Sequence, residues 1–334
     1  MVSSMSNPSS VVEREIEAAA ETEPTPQRTR GAGQWSVAWR RFKRNKAALV
    51  GLFMIATVFL AAIFRNDIAP YPSRPHPDSF KPLYEGEAGQ PPSSKHPFGT
   101  STTGTDIFSE VVHGTVYTLY VSLFATAIIL ILSVTVGVTA GYLGGKADEA
   151  LMRIAEVFLV VPALPLILVF ARVFQIVFSQ AHFVVPVVNV QLPIGLTIVI
   201  VIISLFGWAG DARAFRGEVL RTKEMEYIQA AKSIGASSKR IMLYHIVPNI
   251  LSTIIVVSTL TMATNILVEA GVSFLGFGDP NTVTWGYILN ENYNSLSITW
   301  WAEVFPGLAV FWSVLGFNLL GDGLADALNP RLRE

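Results

Sequence analysis

Six stretches of this chain are apolar enough, and close enough to the ~20 residues needed, to cross a lipid bilayer as helices. No other property limits its possible folds so strongly. The stretches run from about 47 to 66, 114 to 141, 154 to 178, 193 to 210, 248 to 275 and 304 to 321. Hydrocarbon offers no hydrogen-bond partners to the backbone, so each crossing must satisfy its own N–H and C=O groups as a helix. The expected fold is therefore an all-α polytopic membrane protein with six transmembrane helices. Only 15% of the residues are charged and 51% are apolar, a balance outside the usual soluble range. Six crossings return both termini to one face. Arg40, Arg41, Lys43, Arg44 and Lys46 precede the first crossing, whereas 276 to 302 contains no Lys or Arg, so the termini are expected in the cytoplasm.

Between crossings the chain divides by composition. Residues 1–34 mix Ser, Pro and Thr with Glu13, Glu15, Glu17, Glu21 and Glu23, and read as a disordered cytoplasmic tail. No apolar core follows the first charges of this tail, so it does not read as a signal peptide. Residues 35–66 form the first span with its basic lead-in. Residues 67–113 hold eight of the nineteen prolines and are expected to be an external loop over the mouth of the bundle. Residues 114–322 form a five-span core interrupted by a cytoplasmic segment at 211–247, and 323–334 form a cytoplasmic C-terminus. There is no cysteine, so disulfides and thiol chemistry are excluded.

The segment 211–247 is too long for a simple turn and is built to fold. Met225, Ile228, Ala231 and Ile234 recur at helical spacing, which predicts a helix over about 222–234. Gly235 offers a left-handed stop, and Ser237 or Ser238 can cap a second short helix running towards Pro248. Small Ala230 and Ala231 would let such an elbow lie close against another protein. A helix pair lying on lipid would instead want a broader apolar face with Trp or Phe.

Catalytic patterns are missing from the sequence. His76, His96, His113, His182 and His245 show no metal-ligand spacing, and no Ser occupies a nucleophile elbow. Gly144-Gly145-Lys146 lacks the hydroxyl and the earlier glycine of a phosphate loop, since Ala147 follows the lysine. The chain is expected to be no enzyme: it has no catalytic residues, no metal site and no cofactor of its own, and any energy must come from an ion gradient or a partner.

Several blocks carry a specific resemblance. Gln229-Ala230-Ala231, Gly235 and Ile246-Val247-Pro248 resemble the Glu-Ala-Ala, Gly and Ile-x-Leu-Pro signature of binding-protein-dependent ABC importer permeases. Arg44-Asn45-Lys46-Ala47-Ala48-Leu49-Val50-Gly51, Ile68-Ala69-Pro70-Tyr71 and His96-Pro97-Phe98-Gly99-Thr100 with Asp106 are similar to the amino-terminal half of the C-type permease subunit of the dipeptide/oligopeptide family. Glu269 to Gly278, Trp285-Gly286, Phe305-Pro306-Gly307 and Asn318 to Leu324 with Asp326, Pro330 and Arg331 resemble its carboxy-terminal half. The resemblance covers about 35 to 334. It implies a type I ABC importer permease that pairs with a homologous B-type subunit, two cytoplasmic ATPase subunits that bind ATP and Mg, and an external binding protein; no nucleic acid is involved. It also implies that Glu226, Gln229, Ala230, Ala231, Gly235 and Pro248 couple the chain to an ATPase, with peptides as the leading cargo. Nickel and oligosaccharides use the same architecture. Gln229 and His245 depart from the signature, which has Glu and Ile there, so the docking expectation rests on Ala230, Ala231 and Gly235. An ion-coupled secondary transporter would want paired carboxylates or broken helices in inverted repeats, and a membrane hydrolase would want a nucleophile and base; the sequence offers neither set.

Inside the spans, Arg172 is a full charge near the external end of the third crossing and Glu269 a carboxylate near the same end of the fifth. Intramembrane charges are costly and usually face a cavity or a partner, so the two are expected to form a buried pair or to touch the pathway. Snorkelling of Arg172 to the headgroups is the competing expectation. Gly137 and Gly141 suit close helix packing, and Pro162 and Pro165 should kink the third crossing.

Overall fold

The computed structural model describes residues 34–72, 87–178, 183–185, 190–192, 194–279 and 282–328. The expected tail over 1–34 falls almost wholly outside them. Residues 1–40 and 41–334 separate as two units. Of the first, the described part is the beginning of α1 (Gln34–Phe42).

The second unit is helical almost throughout. Its elements in order are α2 (Lys46–Ile63), α3 (Arg65–Ile68), α4 (Ile107–Leu143), α5 (Gly145–Val160), α6 (Ala163–Phe178), α7 (Ile194–Thr222), α8 (Glu226–Ser233), α9 (Ser238–Ile241), α10 (Val247–Asn249), α11 (Leu251–Phe274), α12 (Trp285–Asn292) and α13 (Trp301–Leu328). Between α6 and α7 in the sequence, β1 (Phe183–Val185) pairs antiparallel with β2 (Val190–Leu192). Among the described residues, α2, α4, α7, α11 and α13 are each long and apolar enough to cross a membrane. Helices α5 and α6 together make a sixth candidate, bent by 83° at the break around Val161 and Pro162. The expected kink is thus a sharp corner, for which proline supplies the reason: it lacks an N–H and drives the preceding residue to extended backbone, as seen at Val161 with ψ 130°.

Helix α4 organises the bundle. It is 37 residues long, about 55 Å at 1.5 Å per residue, so it outreaches the ~30 Å hydrocarbon layer. It begins at Ile107, earlier than the expected 114, because the buried Asp106 carboxylate accepts the Ser109 N–H at 2.8 Å and caps it. One side of α4, with Ile107, Val111 and Leu119, packs with α2, α11, α12 and α13 around Trp285, Ile266 and Phe317. Another, with Val121, Ala125 and Ile129, packs with α5, α6 and α7. Close crossings use glycine where the partner leaves no room for a side chain. A Cβ on Gly137 would stand 2.5 Å from the Ala212 carbonyl of α7, and one on Gly323 of α13 would stand 2.2 Å from Cβ of Ala48 on α2.

The described part of the long connection after α3 is folded rather than slack. His96 is fully buried, its Nδ1 2.8 Å from Asp106 Oδ1 and its Nε2 3.1 Å from Glu87 Oε2. The Trp301 indole donates to the Thr100 carbonyl at 2.9 Å, tying 87–106 to the start of α13.

Candidate functional site: the helical elbow

Helix α7 runs on to Thr222, beyond the expected end of its span at 210, so Arg213, Arg216 and Arg221 lie on its extension. The chain then turns through Lys223–Met225 and enters α8. This helix has eight residues, about 12 Å, rather than the 222–234 helix expected. The Gln229 side-chain amide donates to the Lys223 carbonyl at 3.0 Å and holds the turn. A carboxylate could not make that bond, so the departure at Gln229 has a local structural use.

Helix α8 ends in a Schellman motif. The Gly235 N–H donates to the Lys232 carbonyl at 3.0 Å and the Ala236 N–H to the Ala231 carbonyl at 3.1 Å. Gly235 sits at φ +83°, and a Cβ there would meet nothing within 4 Å, so glycine is required by backbone conformation and not by space. Two residues on, the Ser237 hydroxyl accepts the Arg240 N–H at 3.4 Å and caps α9. Between α9 and α10, Met242–Ile246 widens into a π-turn. Pro248 supplies a reason, since it has no N–H to donate and its ring clashes with the carbonyl four residues back.

The elbow has two unlike faces. Inward, Ile228, Ile241, Ile246 and Ile250 are buried with Val138 of α4 and Val219 of α7. Outward, Ile234 is 86%, Tyr244 73% and Leu243 52% exposed. Ser237, Lys239, Arg240, Leu243, Tyr244 and His245 line an open hollow. Exposed aliphatic and aromatic tips rimmed by cations are what a partner surface covers.

This corrects the sequence expectation of a docking surface made by Ala230 and Ala231 together. Ala230 is exposed, but Ala231 is buried at 8% and belongs to the elbow's own interior. Glu226, Gln229, Gly235 and Pro248 are exposed. Ile234, expected on the same stripe as Ile228, is turned outward because it lies at the helix cap, where the chain begins its reversal. Leu243 and Tyr244 were not anticipated; the only sequence signal was two large apolar groups between the buried positions Ile241 and Ile246.

Arg172 and Glu269 do not meet. Arg172 is exposed on α6 and, among the described residues, has no ion-pair partner. Glu269 on α11 is 1% exposed, accepts the Ser273 hydroxyl at 2.7 Å, and faces Thr118 and Thr284. The physical reason is side-chain direction: α6 buries Ile167 and Ala171, which turns Arg172 away from the bundle. Among the described residues, no group of His, Asp and Glu side chains has the arrangement of a metal site.

These features define an all-helical, multi-pass membrane permease fold. Residues 133–334 match the family described as the binding-protein-dependent transport system inner membrane component, and residues 33–92 match the N-terminal transmembrane domain of oligopeptide transport permease C. The chain belongs to the binding-protein-dependent transport system inner membrane component family, and the second match makes it a C-type permease, as the motifs implied. It is 36% identical over 301 residues to the oligopeptide transport system permease protein of Bacillus subtilis (strain 168), covering 90% of each chain. Over 299 residues it is 38% identical to the dipeptide transport system permease protein of the same strain, covering 89% of this chain and 86% of the relative. Over 302 residues it is 36% identical to the glutathione transport system permease protein of Pectobacterium atrosepticum, covering 90% and 92%.

Proposed function

We propose that this chain forms half of the translocation pathway of an ATP-driven importer for peptides. It pairs with a homologous B-type permease, and two cytoplasmic ATPase subunits bind ATP and Mg on its behalf. An external binding protein delivers the cargo to the face bearing residues 87–106, and both termini lie in the cytoplasm. The relatives named for oligopeptide, dipeptide and glutathione transport support the cargo class over nickel or oligosaccharide.

The observation that carries the reading is the elbow: a short helix rooted on α7, closed by a glycine-dependent cap, with Ile234 and Tyr244 exposed, Lys239 and Arg240 beside Tyr244, and Lys232 exposed on the same helix. A rigid projection of this kind transmits force when its tip is gripped by an ATPase, and α7 carries the movement into the membrane. Co-expression with the partner subunits should give a complex in which both ATPases co-elute, and liposomes containing it should accumulate labelled di- or oligopeptide only with ATP and binding protein. Uptake driven by a proton or sodium gradient without an ATPase would overturn the reading.

A further inference from the structure

We propose that Asp148 and Arg216, assisted by Lys223, form the linkage that carries elbow movement into the bent α5–α6 pair; the proposal rests on the coupling reading of the elbow given above. Helix α7 is unbroken from Ile194 to Thr222, and only three residues separate it from α8. Its final turns therefore move with whatever holds the elbow.

Those turns grasp the α4–α5 junction at two points. The Arg216 guanidinium donates from Nε to Asp148 Oδ1 and from a terminal nitrogen to Asp148 Oδ2, each at 2.5 Å. Such a fork-to-fork pair fixes orientation as well as distance, which a lysine ammonium cannot do. The Lys223 ammonium donates to the Gly141 carbonyl at 3.1 Å, a group in the last turn of α4 that has no partner within its own helix. Its charge also acts on the Asp148 carboxylate. The Asp148 side chain is only 15% exposed and that of Arg216 33%, so the pair is better shielded from water than an ordinary surface ion pair.

The junction needs such a hold. Helix α4 ends at Leu143 and α5 starts at Gly145, with Gly144 at φ +67° and Gly145 at φ +53° and no heavy atom within 4 Å of where either Cβ would be. Two unencumbered glycines make a swivel. On α4 itself, Gly137 and Gly141 are pressed against Ala212 and Val219 of α7, so α4 and α7 already move together. What the swivel leaves free is the direction of the first turns of α5, and Asp148 lies in the first turn. The ion pair therefore ties the first turn of α5 to α7, adding to the contact that Phe158 makes with Trp208 further along, so that this turn follows the elbow.

The test uses the complete importer with D148N, R216Q and the exchanged pair D148R/R216D. The chain has no native cysteine, so spin labels can be placed at R153C on α5 and E224C in the turn that leads into α8, both exposed positions. The wild-type distance distribution between these labels should stay narrow with and without ATP. Each single variant should broaden it and lower peptide taken up per ATP hydrolysed by roughly tenfold, the scale set by losing one charge-assisted bidentate contact, while both ATPases still co-elute. The exchanged pair should recover most of both. Unchanged distances and uptake ratio in D148N and R216Q, with ATPases bound and elbow variants still uncoupled, would overturn the linkage alone. Failure of the ATPases to bind the wild-type chain would instead remove the coupling reading on which it rests. If all three variants fail to reach the membrane, the pair is a folding element only and the proposal is wrong.

Discussion

Replacing Gly235 tests whether the elbow works through its backbone. With φ at +83°, an L-residue there costs roughly 1–2 kcal/mol, and a β-branched one lies at the upper end or beyond. Because no atom lies within 4 Å of the added Cβ, no packing penalty is added. The whole effect is conformational. A penalty of about 1–2 kcal/mol shifts a closed-to-open ratio by about 5- to 30-fold, and opening here means loss of the two capping hydrogen bonds from Gly235 and Ala236. Asn tolerates left-handed backbone better than other side chains, so the order of damage should be Gly235→Asn, then Gly235→Ala, then Gly235→Val. Limited trypsin digestion at the exposed Lys232, Lys239 and Arg240 reads the opening directly, and binding-protein-stimulated ATP hydrolysis reads its consequence. Cleavage rates that are equal in all three variants and in the parent would refute the strain argument. Equal and severe loss of coupling in Asn, Ala and Val, with no change in cleavage, would mean instead that the partner needs the space itself.

Other expected outcomes follow from the two faces of the elbow and from the buried polar contacts. Ala231→Trp should destabilise the chain by about 1–3 kcal/mol through overpacking, seen as a lower melting temperature, whereas Ala230→Trp should leave melting unchanged and reduce ATPase co-elution. Ile234→Ser with Tyr244→Ala should likewise spare stability and weaken the ATPase complex; undiminished co-elution would show that the tip is not the gripped surface. Arg172→Gln should leave the melting temperature in detergent within error, since the side chain is exposed, while Glu269→Lys should abolish correct folding by placing a charge in a site that is 1% exposed. Trp301→Phe removes the donor to the Thr100 carbonyl, costing about 1 kcal/mol, and should speed proteolysis within 87–106 without stopping insertion.

What the sequence determined by itself was everything set by short-range chemistry. The length and greasiness of five stretches settled that each forms a helix long enough to cross a membrane, Gly235 settled where the elbow reverses, with Ser237 or Ser238 to restart it, and Pro162 settled where the third stretch breaks. Each of those outcomes depends on backbone conformation within a few residues, so the local letters suffice. Tertiary structure alone decided which way the side chains look. Spacing put Ile228, Ala231 and Ile234 on one stripe, yet Ile228 packs with Val138 and Val219 and Ala231 is buried, while Ile234 is turned to the outside by the helix cap. Equally, two intramembrane charges suggested a pair, but the burial of Ala171 directs Arg172 outward and leaves Glu269 among hydroxyls. Asp148 and Arg216, 68 residues apart and unremarked by any motif, meet only because glycines let α4 lie against α7. A periodic pattern defines a face, but what lies opposite that face is fixed by the packing of distant helices, and no local rule contains it.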